Sequence, residues 1–105
     1  MPAINYAEIL ESSLARARAE AVRPKGPTGG CGRVYIVPAK EHKKGLAEAS
    51  KTLGLTWLKK AHGTSNGVLY LGYDNASGLL LAQGEILARL LKEAGVECYR
   101  DEVGD

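Results

Sequence analysis

Along residues 33–100 the spacing of apolar positions switches repeatedly between a period of two and a period near 3.6. Arg33–Val37 (RVYIV) is β-branched and aromatic and is closed by Pro38, which marks a strand. From about Glu41 to Leu53, Leu46, Ala49, Ser50 and Leu53 return to one side, and Gly54 supplies a helix stop. Leu55–Ala61 (LTWLKKA) reads as a second strand, because the turn formers His62–Gly67 (HGTSNG) follow it and Val68–Tyr73 (VLYLGY) resumes an extended pattern. Asp74, Asn75 and Ser77 are candidate caps for a helix that carries Leu80, Leu87, Leu90, Leu91 and Ala94 inward and ends at Gly95. Gly84 interrupts that helix, and close approach to a neighbour would explain it. A last strand is predicted over Val96–Arg100 (VECYR), followed by an acidic tail, Asp101–Asp105, expected to fray.

The order strand, helix, strand, strand, helix, strand predicts an α/β (α+β) fold, the ferredoxin-like βαββαβ two-layer sandwich. Right-handed crossovers would then set the strands in the order fourth, first, third, second. The rival is a small three-layer or doubly wound arrangement, which requires Leu55–Ala61 to be helical. Ahead of this unit, Ile4–Val22 is rich in Ala, Leu, Glu and Arg and repeats Tyr6, Leu10, Leu14, Ala17 and Ala21 at helical steps. Arg23–Gly32 (RPKGPTGGCG) breaks all periodicity. Residues 1–32 are therefore expected to form an additional N-terminal helix with a flexible Gly/Pro linker, able to dock or swap, and residues 33–105 the βαββαβ domain.

Strand alternation sorts the sheet into faces. Val34 and Ile36, Leu69 and Leu71, and Val96 and Cys98 are the better inward pairs. Tyr35, then Val68, Tyr70 and Gly72, then Glu97 and Tyr99 are left pointing outward. With the predicted strand order, Tyr35, Tyr70 and Tyr99 would lie side by side on an uncovered face, where aromatic rings can stack unpaired bases. Val34-Tyr35-Ile36-Val37 resembles the shorter motif of the RNA-recognition modules, and Gly67, Tyr70, Leu71 and Tyr73 resemble parts of the longer one. Asn66, Val68 and Leu69 depart from it, where that family has a base, an aromatic and a small residue. Single-stranded RNA or DNA is thus one expected partner, with Arg33, Arg23, Lys59 and Lys60 neutralising phosphate. The competing expectation is that the same face is buried, either beneath the chain's own N-terminal helix or against a second copy or other protein.

Charge adds to this picture. The net charge of +2 conceals eleven bases against three acids between residues 16 and 60, so one side of the molecule would suit an acidic partner if these segments share a face. Solvated lysines on helices and edge strands are the plainer explanation. A third class of function, a small-molecule site or enzyme, would need His62, Asp74 and Cys31 to converge. Turn formation accounts for the loop around His62, and capping for Asp74. The acids Asp74, Asp101, Glu102 and Asp105 are a remote candidate for a hard cation, but no cofactor and no metal site is expected. Cys31 and Cys98 lack metal-ligand spacing and are expected to be reduced. With 105 residues, 45% of them apolar, the chain is long enough for one globular domain. Lacking a long apolar run or a signal-like start, it is expected to be cytoplasmic and not to enter a membrane. The sequence favours a binding or interaction module over an enzyme.

Overall fold

A computed structural model describes residues 3–24, 31–75 and 77–104. Three α-helices, α1 (Tyr6–Glu20), α2 (Lys43–Thr52) and α3 (Leu79–Glu93), accompany four strands, β1 (Cys31–Pro38), β2 (Thr56–Leu58), β3 (Val68–Asn75) and β4 (Cys98–Gly104). A short 3-10 turn, Lys40–His42, leads into α2. The strands form one antiparallel sheet in the order β2-β3-β1-β4. No helix among the described residues is long and apolar enough to cross a membrane.

Residues 55–61 contain an extended segment and no helix, but only Thr56–Leu58 pair with β3. At the other edge, β4 runs further than the sequence suggested. Asp101–Gly104, expected to fray, stay paired with β1 as far as Gly104↔Gly32. Val103 gives the physical reason. It continues the alternation begun by Tyr99 and stands opposite Arg33, where it joins an apolar cluster.

The main core lies between the sheet and the helices. Ile36 and Leu69 from the sheet meet Leu46, Leu87, Leu91, Val96 and Cys98, all buried. The N-terminal helix belongs to the same core: Leu10, Leu14 and Ala17 are buried in it, and α1 packs on both α2 and α3. It lies on the helix side and so does not cover the tyrosine-bearing face. Asn5 caps α1 by accepting from the Glu8 N–H at 3.1 Å. At this end the Tyr6 hydroxyl meets His42 Nδ1 at 2.8 Å, and the Tyr6 ring fills the space where a Cβ of Gly45 would stand. The link expected over 23–32 falls mostly on residues outside those described.

One detail corrects the expected faces. The β1–β3 register shifts between Val34 and Tyr35, pairing Tyr35 with Tyr70 but Val34 with Gly72. Leu71 is the extra residue of this bulge. Gly72 thus turns to the helix side, where a Cβ would stand 3.2 Å from Leu80, and its φ of +135° suits glycine. Gly84 has the close neighbours its place in a helix suggested. A Cβ there would lie 3.2 Å from both Val34 and Arg100.

Candidate interaction surface

The face opposite the helices can be read row by row from the register. Thr56, Tyr70, Tyr35 and Asp101 form one row across the four strands. Val37 and Tyr99 pair in the next row, and Tyr73, Arg33 and Val103 form another. Tyr35 and Tyr70 are direct neighbours, with ring centroids 5.4 Å apart and planes tilted by 43°. Tyr99 shares their face but stands opposite Val37, two residues from the position that would place it beside Tyr35. The sequence showed which way Tyr99 points but not the register of its strand.

This face is not open. Tyr35 is only 1% exposed, and Val37 and Val68 are also buried, packed against Leu58, Ala61, Tyr70 and Val103. The cover is the β2–β3 connection, residues 59–67. It leaves the β2 edge and reaches the opposite edge strand, where the Thr64 hydroxyl donates to the Asp101 carboxylate at 2.5 Å and Gly63 sits against Val103. Its return is held by Gly67 N–H on the Lys59 carbonyl at 3.0 Å and by Lys43 Nζ on the Asn66 carbonyl. The expected turn is therefore a strap across the sheet, and Tyr35 is a core residue beneath it. The sequence offered a signal in Ala61 and Gly63, a small apolar residue and a glycine in a segment otherwise read as polar turn.

The other candidates are dispersed. Arg33 lies on the strapped face between Tyr73 and Val103, partly buried. Lys59, Lys60 and His62 are exposed on the strap. Arg23 is exposed beyond the end of α1. Asp74 is buried on the helix side, where its carboxylate accepts from the N–H groups of Gly78, Leu80 and Leu81 at 3.0–3.1 Å and from the Ser77 hydroxyl at 3.3 Å. Burial alone would raise its pKa, but these donors outweigh that and hold it below the ordinary 3.8. Asp74 is thus fully engaged in capping α3. It lies across the sheet from His62, so the two do not converge. The backbone of Cys31 pairs with Asn75, while its side chain falls outside the described residues. Cys98 is buried, with its thiol 3.6 Å from the Ala88 carbonyl, and burial pushes its pKa up to about 11. Among the described residues no group of three or more His, Cys, Asp or Glu could hold a metal ion.

Another available surface, not evident in the sequence, is the outer edge of β4. Among the described residues only β1 pairs with this strand. The Ala39 N–H bonds the Glu97 carbonyl at 2.9 Å, which turns the odd-numbered residues' backbone groups toward β1 and those of Cys98, Arg100, Glu102 and Gly104 outward. In keeping with this, the Glu102 N–H is taken by the neighbouring Asp101 carboxylate at 2.8 Å. Beside the edge, between β4 and α3, lies an open groove of about 610 Å³. Arg89, Lys92, Arg100 and Tyr99 line it, with Glu20 and Glu85. Glu85 pairs with Arg100 at 3.0 Å and Glu20 with Arg89 at 3.9 Å, while Tyr99 is 52% exposed. Comparison with protein-family models, with curated proteins and with solved structures gives no match, which leaves these residues as the ground for a functional reading.

Proposed function

We propose that this chain is a protein-interaction module of ferredoxin-like arrangement that accepts an extended segment of a partner along the outer edge of β4. Read from that edge, the strand order is fourth, first, third, second, the order characteristic of the ferredoxin-like sandwich. The observation that carries the proposal is the seven-residue edge with its outward backbone groups, set beside a groove that holds Arg89, Lys92 and Arg100 against Glu20 and Glu85. An added strand would gain main-chain hydrogen bonds from Arg100 and Glu102 and aromatic contact with Tyr99. Its acidic side chains would enter the groove near Arg89 and Lys92. Affinity would come from the backbone ladder and selectivity from the alternate side chains.

Titration with extended acidic peptides, followed by amide chemical shifts, tests this. Binding should perturb residues 98–104 and weaken with salt, and Glu102→Pro should abolish it. Proline there removes an outward N–H while leaving the β1 ladder its donors. Failure of every such peptide to bind, or binding indifferent to Glu102→Pro, would overturn the reading.

A second reading, single-stranded nucleic acid on the strapped face, draws on Tyr73, which is 45% exposed and stands beside Arg33, and on the exposed Lys59 and Lys60. Tyr73 would stack a base, while Tyr35 would support Tyr70 from within. The expected behaviour is oligonucleotide binding that weakens with Tyr73→Ala and whose salt slope falls by about one for each of Lys59 and Lys60 replaced. Unchanged binding in all three variants would remove this reading.

A further inference from the structure

The edge of β4 is complementary to itself. Antiparallel pairing of two copies keeps paired residues on the same face, so the two-fold axis must pass through a residue position or its pairings would mix faces. With the axis at Asp101, Arg100 of each copy stands opposite Glu102 of the other on the helix side. On the other side, Tyr99 stands opposite Val103. Moving the axis to Arg100 or Glu102 also sets like charges against each other at the axis, and in addition loses both Arg100–Glu102 pairs and puts Tyr99 or Val103 opposite Asp101.

We infer that the segment accepted by β4 is the β4 strand of a second copy, joining two sheets into one across a two-fold axis at Asp101. This rests on the edge-docking reading above and names its partner. Four observations support it. The outward backbone groups belong to Cys98, Arg100, Glu102 and Gly104, which this register pairs as 100 with 102 and 98 with 104, the hydrogen-bonded positions of an antiparallel ladder. Arg100 and Glu102 lie on the same face of the edge two residues apart, so an antiparallel mate sets each copy's acid against the other's base, with the groove's Lys92 nearby. Glu102 of the second copy thereby enters the groove beside Arg100, whose Nε is buried without a partner. Tyr99, among the most exposed large apolar side chains, gains Val103 as a neighbour on the strapped side.

The register carries one built-in opposition, since the two Asp101 carboxylates face each other at the axis. Each is already held by Thr64 and by the Glu102 N–H, and the latter bond is exchanged for a ladder bond on pairing.

The test uses the full chain in sedimentation equilibrium across a concentration series into the millimolar range. A monomer–dimer equilibrium is expected. Glu102→Arg should raise its Kd about tenfold or more, since two favourable cross-strand pairs become repulsive. The double variant Arg100→Glu with Glu102→Arg restores opposite charges and should recover most of that loss, a rescue that a merely structural role would not give. Asp101→Asn should tighten the dimer. Circular dichroism of each variant verifies folding. A chain that stays monomeric yet binds acidic peptides would overturn the dimer and leave the edge-docking reading standing. A chain that does neither would sink both. A dimer insensitive to Glu102→Arg, or one the double variant fails to rescue, would show that the copies meet elsewhere.

Discussion

The two faces of β1 are sealed to nearly the same degree by very different covers. Val34 and Ile36 lie on the helix side, within or beside a cluster that draws on α1, α2, α3 and the sheet. Tyr35 and Val37 are buried under one strap, fastened mainly by Ala61, Gly63 and the Thr64–Asp101 hydrogen bond. The anchors differ as well. Asp74 ties α3 to the end of β3 through four donors, whereas Thr64 offers one hydroxyl. Equal burial therefore does not mean equal strength, because a cover that rests on few apolar contacts opens locally at far lower cost than one interlocked with the whole core.

Changes at four places bear on this contrast. On the helix side, Leu69→Ala leaves a cavity in the main core and should cost about 3 kcal/mol in urea unfolding. A loss under 1 kcal/mol would mean that the helices do not dominate stability. Asp74→Ala, which frees the Gly78, Leu80 and Leu81 N–H groups at the start of α3, should cost about 2 kcal/mol. This contribution has a pH signature. Because the folded-state pKa of Asp74 lies below its ordinary value, its stabilisation is complete above 3.8 and is lost as pH falls through the lower folded value. Asp74→Asn should flatten that part of the acid unfolding profile, and an unchanged profile would refute the assignment. Replacing residues 60–66 with Asn-Gly should cost about 1–2 kcal/mol from the apolar area uncovered, while leaving the helical circular dichroism intact. Acrylamide quenching of tyrosine emission should rise in that variant, and loss of the helical signal would show that the strap is integral to the fold. Thr64→Val should cost about 0.5–1 kcal/mol and speed amide exchange around Val103 without affecting α3.

Much of the secondary structure could be read from the chain because local chemistry decides it. Gly54 and Gly95 follow the helices, Asp74 caps α3, and the VLYLGY run is extended in any context. What escaped was set by distant parts of the molecule. The pairing of Tyr35 with Asp101 rather than Tyr99 depends on how far β4 slides along β1, and nothing within either strand specifies that. The bulge at Leu71 reversed the face of Gly72, since alternation counts residues and a bulge adds one. HGTSNG has the composition of a solvated turn, and it covers the tyrosines only because β4 supplies Val103 and Asp101 to receive it. Asp101–Gly104 looked like a tail because its acids suggested solvation, yet acids are compatible with an edge strand whose alternate positions face water. The edge itself went unremarked for the same reason.

Where the start of α1 meets α2, one missing carbon governs the position of a whole helix. The aromatic ring at position 6 occupies the volume that any β-substituent at position 45 would claim. Even alanine there would push the phenol off its imidazole partner and lever out the first turn behind it. The N-terminal segment is thus registered by an indentation rather than a protrusion. A substitution that raises the helix propensity of α2 would weaken the assembly of the domain.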